Sequence, residues 1–400
     1  MNQNHQVFII QNFHQGSYIT VEGDRKGGLF HIILDGRVNL HKKNPANGEP
    51  SFQSIGKGDF FGVISSMTGL PQLESAIATT PLTTISVSHD KFGDLIRKNA
   101  PLAMKIIKSY SLKLRLLDQL MESDGDGFTK NQHGDPHEDI VVRAEKHYQF
   151  GDKKIAAHMY KTYLEFNPDG PQRPKCISRL KYLNESEEKK VRTGSILTYK
   201  PGEVIFVEGE IGKELLIVQS GKVKIVRMSQ DTEMVMNILK EGEIFGEMSL
   251  LDNKPRSASA VALTPTKVAS INKVNFHSTA ELNPQLMTKV ITVLSERVWT
   301  LYRKVVNSKF FDMGLRYGDM LLILAEQARQ KFSAGNSHNF QISPKDLLKM
   351  MALPETELSS LMKFLSLQGY LKNEGNQIIC TDLSLLERFV ISNKNKVDKK

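Results

Sequence analysis

The sequence predicts an α+β multidomain chain, and three observations carry that expectation: its 400-residue length, an internal repeat of β-rich segments, and helical apolar spacing between and after the two copies. Four hundred residues exceed one ordinary core, so two to four domains of roughly 100–200 residues are expected. The composition, 40% hydrophobic and 24% charged, suits a water-soluble globular chain, and no run approaches the roughly 20 apolar residues of a membrane span. Met-Asn-Gln-Asn-His-Gln opens the chain with no basic segment ahead of an apolar run, so a cytoplasmic location without a membrane partner is expected. Cys176 and Cys380 are far apart and lie in no metal-ligand spacing, which excludes a disulfide framework and a zinc site and leaves two ordinary buried thiols. The net charge of +9 suits a phosphate-bearing partner. Part of that excess, Lys394, Lys396, Lys399 and Lys400, reads as a solvated, frayed tail.

The repeat is read from order and spacing. Glu22-Gly23-Asp24 corresponds to Glu208-Gly209-Glu210, Gly36-Arg37-Val38 to Gly221-Lys222-Val223, and Phe61-Gly62 to Phe245-Gly246, all at an offset of about 185 residues, with Pro71 opposite Pro255. Between the glycines lie runs such as Leu215-Leu216-Ile217-Val218 and Val223-Lys224-Ile225-Val226, which read as strands joined by tight turns. The first copy is placed at 1–120 and the second, with its helix, at 191–307.

Residues 121–136 are rich in Asp, Gly and polar residues and read as a flexible linker. Asp124, Asp126 and Asp135 have calcium-loop spacing, but Phe128 stands at a ligand position and Thr129 where the turn needs glycine, so no calcium site is expected. Residues 137–190 are helical. Within them 137–170 read as a helix pair turning at Phe150-Gly151-Asp152, with Ala156, Tyr160 and Tyr163 at helical spacing. This pair resembles one tetratricopeptide repeat, a helical segment that either binds a protein partner or packs as a spacer on its neighbours. In 285–306, Met287, Ile291, Leu294, Val298, Leu301 and Val305 form one apolar seam, suited to packing on its own domain or to a homodimer contact.

Phe245-Gly246-Glu247-Met248-Ser249-Leu250-Leu251, followed after three residues by Pro255-Arg256-Ser257-Ala258-Ser259, combines three chemistries. Gly246 opens a short turn where backbone N–H groups can face an anion. Glu247 supplies a carboxylate for a sugar hydroxyl, and Arg256 a planar fork for two phosphate oxygens with Ser257 as a further donor. The segment resembles the phosphate-binding cassette of cyclic-nucleotide-binding domains, found in bacterial catabolite activators and kinase regulatory subunits. That resemblance implies two cyclic-nucleotide-binding β-rolls and a ligand site at Gly246, Glu247, Met248, Ser249, Arg256 and Ser257, with cAMP as the first candidate and cGMP as the second. It also implies that Thr300, on the following helix, meets the base. In the first copy Val63 replaces the ribose carboxylate and Gln72 the phosphate arginine, so that roll is expected to be degenerate and to bind no nucleotide.

Residues 308–400 form the last segment, within which 318–391 read as helix, helix, turn, helix and a strand pair: Ser343-Pro344 starts the second helix with a cap and a first-turn proline, the third runs from Pro354 to Gly369, and Tyr370-Leu371 pairs with Ile378-Ile379. They resemble the winged helix of catabolite-activator and Fnr regulators, which implies a double-stranded DNA partner met by Lys345, Lys349, Thr356, Ser360 and Lys363. Glu355 and Glu357 repel phosphate and favour instead a protein-contact role. The expected function is thus a nucleotide-sensing transcription regulator, the alternative a nucleotide-responsive scaffold without specific DNA binding. No nucleophile, base and orienter group together, so no enzyme activity is expected.

Overall fold

In the computed structural model the described residues are 8–25, 28–44, 49–123, 136–186, 194–212, 214–229, 232–246, 255–272 and 276–397. The first copy folds as strands β1 (Ile9–Phe13), β2 (Tyr18–Thr20), β3 (Leu29–Asp35), β4 (Val38–Lys43), β5 (Pro50–Ile55), β6 (Phe60–Phe61), β7 (Ser75–Ala78) and β8 (Leu82–Ser88), with helix α1 (Val63–Thr68) after β6. Helices α2 (Phe92–Lys98) and α3 (Ala100–Ser123) follow. The strands form two antiparallel sheets, ordered β1-β8-β3-β6 and β2-β7-β4-β5. Alternating residues such as Ile33, Val38, Leu40, Phe61 and Leu82 face inward and make the core.

The second copy repeats this order strand for strand. Its strands are β9 (Ile196–Tyr199), β10 (Val204–Phe206), β11 (Glu214–Ser220), β12 (Val223–Ser229), β13 (Thr232–Leu239), β14 (Ile244–Phe245), β15 (Ser259–Ala262) and β16 (Thr266–Asn272). They pair as β14-β11-β16-β9 and β10-β15-β12-β13, around Leu216, Val218, Val223, Phe245 and Val268. The repeated glycines have a physical cause. Gly36 and Gly221 both sit at positive φ, and a side chain there would strike the carbonyl oxygen of Pro81 and of Pro265 respectively, the same point of the two rolls.

The chain divides into two compact units, one of 1–95, 116–126 and 294–400, the other of 96–115 and 127–293. In the second unit, helices α4 (Pro136–Gln149), α5 (Lys153–Phe166) and α6 (Arg173–Tyr182) bury Ile140, Ala144, Ala156, Tyr160 and Tyr163 in one core with Val207, Val226 and Val261 of the second roll. The helical segment therefore packs on the roll that carries the cassette. Bidentate bonds from Arg179 to Glu145, at 3.0 and 2.7 Å, tie α6 to α4. The sequence reading stops the helix pair at residue 170 and does not resolve α6, whose start at Arg173-Pro174 is marked only by proline in the first turn. Of the segment read as linker, 124–135, including Asp124, Asp126 and Asp135, lie outside the described residues, while α3 extends to Ser123.

Helices α7 (Phe276–Leu282) and α8 (Pro284–Ser308) follow the second roll, and the division between the two units falls within α8, at Leu294. Its seam is already covered within the chain: Met287, Ile291 and Leu294 are fully buried and Val298 and Val305 nearly so, while Leu301 is half-buried. A homodimer through 285–306 would have to displace that packing. In the unit holding the first roll, Trp299 Nε1 donates to Pro71 O at 2.9 Å and Tyr302 Oη to Lys43 O at 2.6 Å.

The C-terminal part comprises α9 (Met313–Gln327), α10 (Pro344–Met350), α11 (Leu358–Leu367), α12 (Leu383–Val397) and a sheet ordered β17 (His338–Asn339), β19 (Gln377–Cys380), β18 (Leu371–Glu374). Ser343 and Asp346 form a reciprocal capping box that starts α10. Strand β17 and helix α12 are absent from the sequence reading, and α12 corrects it at one residue. Lys394 is no frayed tail: its Nζ lies 2.6 Å from Asp319 Oδ1, which Arg303 also meets at 3.0 Å. Both cysteines are buried, and burial raises their thiols, Cys176 to about 12 and Cys380 to about 11.

Candidate nucleotide site

Arg256 sits just ahead of β15, and its position is set by the backbone. Gly209 N donates to Arg256 O at 2.9 Å and Arg256 N to Glu210 O at 2.8 Å, so the turn after β10 brackets it. The residue is 6% exposed, low for a cation, and its guanidinium donates to Gly246 O and, at 3.0 Å, to Glu214 O. Phe206 lies beneath it, ring centroid 4.2 Å from Cζ. Gly246 has φ +73°, and a Cβ there would collide with Arg256 Nη1, so glycine is what lets the guanidinium lie against the cassette backbone. The guanidinium is a planar, charged donor held between two backbone carbonyls, with Ser257, half-buried, next to it in sequence.

The structure brings Gly246 and Arg256 of the expected site together, and Ser257, next to Arg256 in sequence, is half-buried. Glu247, Met248 and Ser249 lie outside the described residues. Thr300 belongs to the unit holding the first roll, where its hydroxyl accepts from Gln327 Nε2 at 2.7 Å. Sequence reasoning missed Glu214, Phe206 and the bracketing turn; the repeated Glu-Gly-acidic tripeptide was the available signal for the last of these.

The first roll supplies a built-in comparison. Gly23 N donates to Gln72 O at 2.8 Å and Gln72 N to Asp24 O at 3.0 Å, the same bracket in the other copy. Gln72 thus stands where Arg256 stands, buried and without a formal charge. Val63, in place of the carboxylate, is 2% exposed. At the register where the second roll pairs Leu216 with Phe245 and Ser270, the first pairs His31 with Phe61 and Ser86. The His31 ring stacks on Phe61, 4.9 Å between centroids, and burial lowers its pKa to about 4.

On the C-terminal part, Lys345, Lys349, Thr356, Ser360 and Lys363 are all exposed. Lys345 Nζ lies 3.1 Å from Glu355 Oε2. Among the described residues, no helix is long and apolar enough to cross a membrane and no group of His, Cys, Asp and Glu is placed to hold a metal.

Comparison with known proteins agrees with the duplicated architecture. The family described as cyclic nucleotide-binding domain matches residues 10–99 and again 196–283. A CRP-like cAMP-activated global transcriptional regulator of Mycobacterium tuberculosis is 25% identical over 188 residues, 47% of this chain and 84% of the relative. The cyclic AMP receptor protein of Thermus thermophilus is 28% identical over 190 residues, 47% of this chain and 85% of the relative. The solved Thermus thermophilus catabolite activator protein, 26% identical, covers 49% of this chain and 90% of its own, with a TM-score of 0.28. The chain therefore carries two copies of the cyclic nucleotide-binding domain and is a homologue of the CRP-like regulators.

Proposed function

We propose that the second roll binds a cyclic nucleotide, cAMP first and cGMP second, and that occupancy regulates transcription through residues 308–400, read as a winged helix on double-stranded DNA. The observation that carries the ligand reading is Arg256: a buried guanidinium against the cassette backbone, at the point where the other roll has only Gln72. A cyclic phosphate is a charged acceptor, stronger than the two backbone carbonyls that the guanidinium meets here. In this reading Arg256 and Ser257 hold the phosphate, the amides near Gly246, Met248 and Ser249 face it, and Glu247 accepts from the ribose. The protein changes conformation without turning its ligand over, and acts in the cytoplasm. Names of relatives support the choice of cAMP, since they include a cAMP-activated regulator and a cyclic AMP receptor protein.

The route to the C-terminal part is covalent. In this reading helix α8, which starts in the unit of the second roll and ends in the unit that contains α9 to α12, carries the effect of nucleotide occupancy towards residues 308–400. Exposed Lys345, Lys349 and Lys363 supply phosphate contacts, with Thr356 and Ser360 on the face offered to bases. A second reading, a nucleotide-responsive scaffold, is favoured by one observation: Glu355 already neutralises Lys345, and Glu357 adds a further negative charge at the start of α11. Retention of duplex DNA that falls steeply with salt, and strengthens with cAMP, supports regulation of transcription. Nucleotide binding without any DNA retention at low salt supports the scaffold.

A further inference from the structure

The helices between the rolls reach the phosphate arginine through one turn. We propose that Arg143 of α4 is a positioning residue for the nucleotide site, acting through Glu208 and the Glu208-Gly209-Glu210 turn that brackets Arg256; this rests on the ligand reading given above. The chain of contacts is short. Arg143 Nε lies 3.7 Å from Glu208 Oε1, and Arg227 Nε of β12 lies 3.5 Å from the same oxygen. The Glu208 side chain is 7% exposed, and its backbone N–H donates to Ser259 Oγ at 2.9 Å. A carboxylate so buried needs its cations, so the two arginines fix where the turn sits. The next two residues of that turn make both backbone bonds to Arg256.

The contact also has a steric side. A Cβ on Gly209 would lie 3.3 Å from Arg143 Nη1 and 3.4 Å from Ile140 Cγ1, so α4 presses directly on the turn. From α5, His158 Nε2 is 3.4 Å from Glu210 Oε2, and that carboxylate accepts from Val207 N at 3.0 Å. The first roll uses the equivalent turn differently: Glu22 N donates to Ser75 Oγ at 2.9 Å, matching Glu208 and Ser259, but Arg25 just beyond it pairs with Glu326 and Glu387 of the C-terminal helices. One turn of the fold thus serves as the docking edge in both copies, and in the second it docks the helical segment behind the phosphate arginine.

The test titrates full-length parent, Arg143→Ala, Arg143→Lys and Arg179→Ala with cAMP by calorimetry. Arg143→Ala weakens binding about fivefold, a coupling of the usual size for a residue that touches no ligand, with one site per chain retained. Arg143→Lys recovers most of the loss because it restores the charge. Arg179→Ala, which breaks the α6-to-α4 pair away from the turn, lowers the melting temperature but leaves affinity unchanged. Equal affinity in parent and Arg143→Ala overturns the proposal, as does an equal loss in Arg179→Ala. Should Arg143→Ala fail to fold, Glu208→Gln, of the same size, takes its place with the same expected direction. If the parent takes up no cAMP, the ligand reading has failed, and hydrogen exchange of the Gly209 and Arg256 amides decides. Faster exchange in Arg143→Ala than in Arg179→Ala upholds the positioning role; exchange unchanged from the parent ends it.

Discussion

Paired substitutions at Gly246 and Gly62 separate the cost of the cassette backbone from the cost of misplacing its arginine. Both glycines lie at left-handed φ, +73° and +77°. Alanine at either position pays about 1–2 kcal/mol for that conformation. Only at Gly246 does the new Cβ also collide with a functional group, the Arg256 Nη1; at Gly62 it meets Leu29 O at 3.3 Å. The guanidinium must then leave its seat against Gly246 O, and a phosphate contact made by a displaced arginine loses roughly 1.5–3 kcal/mol, or about ten- to hundredfold in affinity. Thermal melts and cAMP titrations of both full-length variants check this. Similar loss of stability is expected in the two, with loss of affinity confined to Gly246→Ala. Parent-like affinity in a folded Gly246→Ala protein would refute the argument that Arg256 placement governs binding.

Two further outcomes follow from burial. Leu294→Glu puts an uncompensated charge at a fully buried position and should destabilise the chain by roughly 3–5 kcal/mol in a denaturant melt; a well-folded variant whose assembly mass halves would instead place a homodimer contact there. His31 is held neutral by burial, with a pKa lowered from 6.5 to about 4, so between these values the unfolded chain binds more protons than the folded one. Stability is therefore whole above about pH 6.5 and falls as pH drops towards 4, by on the order of 3 kcal/mol. His31→Leu, which installs the residue of the second roll, should flatten this acid limb in pH-dependent melts, and an unchanged limb would count against it.

The sequence was most legible where one residue type is physically required. The positive-φ glycines at Gly36 and Gly221, held by the nearby Pro81 and Pro265 carbonyls, stand in both copies because any Cβ collides there, and they mark the same register in each. Ser343-Pro344 announced its helix by cap chemistry alone. Gln72 opposite Arg256 was legible as a lost charge, and the matching backbone brackets show that the two residues occupy one position of the fold. What was hidden depends on contacts distant in sequence. Lys394 looks like tail until Asp319, 75 residues earlier, is placed beside it. Trp299 sits on a helix whose local spacing says nothing of its partner, Pro71 O, 228 residues away, to which the indole N–H donates. Strand β17 is two residues long, too short for alternation to register, and exists because His338 and Asn339 pair with Cys380 and Ile379.

The central claim is that the second roll alone is a nucleotide receptor and that Arg256 makes it one. Calorimetric titration of the full chain with cAMP tests it most directly, comparing the parent with Arg256→Ala, Arg256→Lys and Glu247→Gln. One site per chain is predicted for the parent and no measurable binding for Arg256→Ala, since loss of a sheltered phosphate contact costs roughly 3–5 kcal/mol. Arg256→Lys should fall between them, having the charge without the planar fork, and Glu247→Gln should lose less than Arg256→Ala. Two sites in the parent, or parent-like affinity in a folded Arg256→Ala protein, would contradict the account.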